Sequence, residues 1–179
     1  MATITGVGSL TASSDSINPP GAHTDSERLL SSAEGFAALA DAAAAAGGSV
    51  MRSGSAQAAL YFTLAQALEL AVKAWLRMSG VSLAELKKYG HDLEDLTAAA
   101  KALGLAPSAE LTPRSLAVLN DVYSGKKGLQ YPRWDGIALP PSREVRTAVD
   151  ASIAAAALTV RGGTDPSRPG AAIRPDARW

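Results

Sequence analysis

The sequence predicts an all-α fold, an up-and-down bundle of four main helices with short extra ones. Three observations carry that prediction. Apolar residues recur at intervals of three and four in every long apolar segment. Ser, Thr or Asp stands at most of the expected helix starts and Gly at most of the ends. No segment alternates convincingly between apolar and polar residues, including the stretch from Lys126 to Pro140.

The elements follow in order. Met1 to His23 is rich in Ser, Thr, Gly and Pro and lacks periodicity, so residues 1–24 read as a disordered arm. Thr24-x-x-Glu27 reads as a capping box. Behind it Leu29, Leu30, Ala33, Phe36, Ala37 and Ala40 share one face, and Gly47-Gly48 ends the helix. The second helix runs from about Ser55 to Ser79, with Tyr61, Leu64, Leu68, Val72 and Trp75 on its apolar stripe and Gly80 as its stop. Ser82-x-x-Glu85 caps a short helix ending at Gly90, and Asp92 starts another, with Leu93, Leu96, Ala100 and Leu103 inward and Gly104 at its end. Thr112-Pro113 is an N-cap followed by proline in the first helical position. That helix carries Leu116, Leu119 and Val122 and stops at Gly125. The last helix spans about Pro141 to Arg161, with Val145, Val149, Ile153 and Ala156 on one side. Residues 25–161 thus form the expected bundle, and residues 162–179, with Gly-Gly, Asp-Pro and Arg-Pro pairs, a flexible tail.

Composition narrows the function. The 179 residues suffice for one hydrophobic core without staples. There is no Cys, which excludes disulfides and thiolate metal sites, and two His leave little for a multi-histidine metal centre. No metal and no cofactor is therefore expected. No apolar run reaches a membrane span and Met1 to Leu10 has no basic, apolar leader, so a cytoplasmic protein without membrane contact is the expectation. Net charge is zero, which argues against a general nucleic-acid binder, but Val122 to Arg161 carries an excess of +3.

Several residues invite chemistry. Glu69 and Lys73 lie one turn apart in the favourable order within an apolar segment, which predicts a partly buried polar pair. His91, between Gly90 and Asp92, reads either as a structural turn and cap residue or as a phosphate contact shared with Lys87 or Lys88. Ser124-Gly125-Lys126-Lys127-Gly128 faintly resembles a phosphate-cradling loop but is no Walker A motif. An anion or nucleotide is expected where Lys126, Lys127, Arg133 and Arg143 converge, with His91 nearby. Tyr131 and Trp134 either stack on a base there or cover the end of the bundle. There is no Ser-His-Asp order, zinc spacing or acid pair that marks a catalytic residue.

The Leu68-Glu69-x-x-x-Lys73-Ala74 helix, the Tyr89-Gly90-His91-Asp92-Leu93-x-x-Leu96 turn and the Tyr131-Pro132-Arg133-Trp134 segment, in that order, resemble the HEPN superfamily of small helical domains. The resemblance covers roughly Ser26 to Arg161. It implies a helical bundle that often dimerises, found among RNA-cleaving toxins and defence effectors, non-catalytic partners of small nucleotidyltransferases, and nucleotide-binding modules. Catalytic members carry an Arg followed by a His near the start of the last bundle helix. Here Arg143 and Arg146 are present but no His follows them. The expectation is a non-catalytic nucleotide- or RNA-binding or protein-interaction module of a toxin–antitoxin or defence system, as a homodimer or in complex with a nucleotidyltransferase-like partner. The alternative is a metal-independent endoribonuclease using an atypical site such as His91 with Lys88 and Arg133. A purely structural helical domain is the third reading.

Overall fold

The computed structural model describes residues 21–46, 54–105, 111–124 and 138–162. They form an all-α bundle with no strand among them. Its helices are α1 (Ala22–Ala45), α2 (Gly54–Met78), α3 (Leu83–Tyr89), α4 (Leu93–Ala102), α5 (Pro113–Tyr123) and α6 (Ser142–Gly162).

Helix α2 is the axle, packed against each of the other five. Its Ala65, Ala67, Ala71 and Ala74 are fully buried, and small side chains let neighbouring axes approach closely. Between them Leu64, Leu68, Val72, Trp75 and Leu76 fill the core together with Leu30, Leu93, Leu96, Leu119, Val145 and Val149.

Polar contacts fix the directions of the helices. Asp25, at the start of α1, accepts from Arg77 Nε and Nη2 at 3.3 and 3.1 Å near the end of α2, so these helices are antiparallel. Along α6, Arg146 pairs with Asp41 and Arg161 with Glu34, which runs α6 antiparallel to α1 and hence parallel to α2. Tyr123, at the end of α5, reaches Gln66 and Glu69 at the middle of α2.

Two expectations at helix ends are corrected. Thr24 does not cap α1. The helix begins earlier, after Gly21, with no side-chain cap; Ala22 is buried, and Ser26 donates back to the Ala22 carbonyl at 2.8 Å. Burial of Ala22, one turn before the buried Ser26, draws the helix upstream of its sequence signal. Leu103, expected inward, is 45% exposed because it is the C-cap of α4 rather than part of its buried stripe. Gly104 follows at φ 102°, a left-handed conformation that suits glycine, and turns the chain back. Leu105 N then donates to Ala100 O at 2.9 Å and Gly104 N to Lys101 O at 3.0 Å, a Schellman ending. Leu105 is buried in place of Leu103.

Candidate functional site

The site grows from a stripe of α2. Phe62, Gln66, Glu69 and Lys73 follow one another at spacings of four, three and four, which puts them on one side of the helix. This stripe meets the end of α5 and the turn between α3 and α4.

Local signals place that turn. Ser82 and Glu85 form a reciprocal capping box at the start of α3. Asp92 caps α4 by accepting from the Glu94 and Asp95 amides at 3.1 and 3.0 Å. Between them Gly90 adopts φ 56°, a conformation that side-chain-bearing residues rarely take, and its carbonyl accepts from Lys73 Nζ at 2.7 Å. The fully buried Asn120 of α5 then clamps the turn: its Oδ1 accepts from Leu93 N at 2.7 Å, and its Nδ2 donates to Asp92 and Glu94 at 3.2 and 3.1 Å.

Glu69 is the centre. It is 2% exposed, and its carboxylate meets three donors. Oε1 lies 2.5 Å from Lys73 Nζ. Oε2 accepts from Tyr123 Oη at 2.5 Å and faces His91 Nδ1 at 2.9 Å. A buried carboxylate is tolerated only when paired and hydrogen-bonded, and this one is both. The Tyr123 oxygen is also 2.5 Å from Gln66 Oε1. A phenol has one hydrogen and the charged carboxylate holds it more strongly; turning the amide over presents its NH2 end to the phenol oxygen. Burial, and then the bond to Glu69 and its negative charge, push Tyr123 ionisation far above the ordinary tyrosine value.

His91 is the outward part of this arrangement. Its side chain is 66% exposed, yet Nδ1 is held by a carboxylate that is almost wholly buried. An ionised Glu69 accepts only, so Nδ1 carries the hydrogen, and Nε2 has no partner among the described residues. The imidazole stands edge-on to the Tyr123 ring, 5.6 Å between centroids, and Phe62 packs on Tyr123 at the same separation. Lys87 and Lys88 are exposed on the last turn of α3, just before this site.

The expected anion site is only partly within view. Lys126, Lys127 and Arg133, with Tyr131 and Trp134, lie outside the described residues. Arg143 is exposed in the first turn of α6 and lines a half-open groove of about 180 Å³ with Asp41, Leu60, Leu64 and Arg146. Leu60 and Glu69 are nine residues apart, two and a half helical turns, so Arg143 and His91 approach α2 from opposite faces. Among the described residues no group of acidic or histidine side chains is arranged to hold a metal ion, and no helix is long and apolar enough to cross a membrane.

Sequence reasoning singled out Glu69, Lys73 and His91 but not Tyr123, Gln66, Asn120 or Phe62. The stripe spacing on α2 is the signal that finds Phe62 and Gln66. Tyr123 and Asn120 meet the site only through the packing of α5, which no local pattern announces. Comparison with known proteins adds no relative: no family model, curated protein or solved structure matches this chain.

Proposed function

We propose that this chain is a non-catalytic, HEPN-like binding module that presents His91 to an anionic or hydroxyl-bearing group of a nucleotide or RNA. The observation that carries the reading is an imidazole two-thirds exposed whose Nδ1 is pinned by a buried carboxylate. A ring held in this way loses little rotational freedom when a ligand arrives, so more of the contact energy appears as affinity. Its Nε2, without a partner among the described residues, accepts from a ribose hydroxyl or, when protonated, donates to a phosphate oxygen. Of the residues that suggested the HEPN resemblance, Glu69, Lys73, Gly90 and His91 touch here, while the Tyr131–Trp134 segment lies outside the described residues. The same resemblance supports a homodimer or a complex with a nucleotidyltransferase-like partner in a toxin–antitoxin or defence system.

The module is read as non-catalytic because cleavage of a phosphodiester by acid–base chemistry requires two proton transfers. The cluster holds one imidazole, and the Arg-then-His pair of catalytic members is missing from the last helix. The pinned imidazole itself favours one second reading, the metal-independent endoribonuclease. There His91 Nε2 takes the 2′-hydroxyl proton as the 2′-oxygen attacks phosphorus, and the 5′-oxygen departs with a proton from solvent, with Lys88 and Arg133 about the phosphate.

The test is equilibrium binding of labelled single-stranded RNA and of mononucleotides to the full chain and to His91→Ala, with product analysis in the presence of a chelator. The expected result is binding weakened roughly tenfold in His91→Ala, the loss of one charge-assisted hydrogen bond, and intact RNA throughout. RNA cleaved by the parent and spared by His91→Ala would move the assignment to the ribonuclease.

A further inference from the structure

We propose that Phe62 is the stacking platform of this site and that the ligand is an unpaired nucleotide, its base on Phe62 and its sugar–phosphate at His91; this rests on the nucleotide-binding reading above. Most large apolar side chains of α2 are buried: Leu60, Tyr61, Leu64, Leu68, Val72, Trp75, Leu76 and Met78 are each at most 8% exposed, and Leu70 is half-buried. Phe62 is 44% exposed, and it sits at the head of the stripe that continues through Gln66 to Glu69 and Lys73. Its ring leans on Tyr123 at 5.6 Å between centroids and 54° between planes. Tyr123 in turn meets the His91 ring at 5.6 Å and 83°.

Two exposed rings therefore flank one buried ring and stand no more than twice that separation apart. That span suits a single nucleotide, whose base and phosphate are joined by one sugar. The two ends differ in the way such a ligand requires. Phe62 offers a hydrocarbon face, which stacks on any base without reading its edge. His91 offers a nitrogen whose direction Glu69 sets. Tyr123 cannot take either role: it is 7% exposed and its hydroxyl is committed to Glu69. It acts as the spacer that holds the two rings at fixed distance. A paired base hides both faces within the duplex, so the site selects unstacked nucleotides, whether free or within a single strand.

The experiment measures binding of labelled oligoadenylate, of its duplex with oligouridylate, of AMP and of inorganic tripolyphosphate to the full chain, to Phe62→Leu and to Phe62→Trp. Leucine keeps an apolar cover over Tyr123 but removes the planar face; tryptophan restores one. Melting curves by circular dichroism confirm that each variant is folded. Phe62→Leu is expected to weaken oligoadenylate and AMP binding roughly five- to a hundredfold, with tryptophan recovering most of it, tripolyphosphate unaffected and the duplex bound weakly by all three proteins. If the parent binds oligoadenylate and Phe62→Leu binds it equally well, Phe62 is only a cover for Tyr123 and the inference falls while the nucleotide reading stands. If the parent binds none of the probes, the nucleotide reading falls first and the platform with it.

Discussion

Tyr123 shows how one side chain couples stability to the site. Its hydroxyl gives Glu69 one of three donors, its ring separates Phe62 from His91, and all of this is buried. A neutral phenol bonded to a buried carboxylate stabilises the fold only while it keeps its proton. Because the folded-state ionisation is raised, this contribution is fully present below the ordinary value of 10.0 and is lost as pH climbs above it. Tyr123→Phe is therefore expected to cost about 1.5–3 kcal/mol at neutral pH, the range for a hydrogen bond to a charged group. It should also flatten the fall in stability above that pH; urea denaturation across the alkaline range measures both. Tyr61 retains a smaller alkaline dependence, since burial and then the nearby Glu144 raise its ionisation too, and its hydroxyl donates to the Pro140 carbonyl. An unchanged alkaline profile in Tyr123→Phe would mean that the phenol is not held by Glu69. The sequence carries only half of this cluster. Glu69 and Lys73 are neighbours on one helix, so their spacing announces them, whereas Tyr123 joins them from a helix three elements further along.

Helix termini decide how well the elements can be read and how the site is held. Ser82, Asp92 and Thr112 all cap the helices that follow them, each accepting from an amide two or three residues on. These signals are local, so the sequence carries them in full. The start of α1 and the fate of Leu103 are not local. Burial of Ala22 moved the one, and the Gly104 turn that drives Leu105 into the core moved the other. The start of α4 combines both kinds of information. Asp92 caps it locally, but Asn120, from α5, satisfies the Leu93 amide and holds the Asp92 and Glu94 carboxylates in place. Asn120→Ala leaves the buried Leu93 amide without that acceptor. The expected cost is about 1–3 kcal/mol, the desolvation penalty of an unpaired buried donor. Because His91 immediately precedes this cap, amide hydrogen exchange should quicken across Gly90 to Leu96 while the α1–α2 pair keeps its protection. Quickened exchange spread evenly over all helices would show that Asn120 serves the whole fold rather than this turn.

The charge of the whole molecule separates the two places where an anion could bind. The +3 excess between Val122 and Arg161 overstates what is available, because two of its cations are already engaged by acids of α1. Arg146 is doubly bonded to Asp41 at 2.8 Å and also meets Asp150, and Arg161 holds both oxygens of Glu34 at 2.8 and 2.9 Å. These exposed pairs add little stability, well under about 1 kcal/mol for Arg146 with Asp41, but they cancel field. Of the remaining cations, Arg143 lies on the face of α2 opposite His91. A nucleotide at His91 and Phe62 therefore touches one or two phosphates and draws little on the wider field. Single-stranded RNA releases counterions with a slope of about −0.7 per phosphate contact, so raising salt from about 50 to about 200 mM should weaken binding by less than about tenfold. A fall of a thousandfold over that range would require many phosphate contacts at once. The ligand would then belong to the basic segment, where Lys126→Glu with Arg133→Glu should abolish binding and Phe62→Leu should leave it intact. Titrating the parent and these two variants at both salt concentrations separates a stacked nucleotide at the Glu69–His91 cluster from an electrostatic contact at the start of α6.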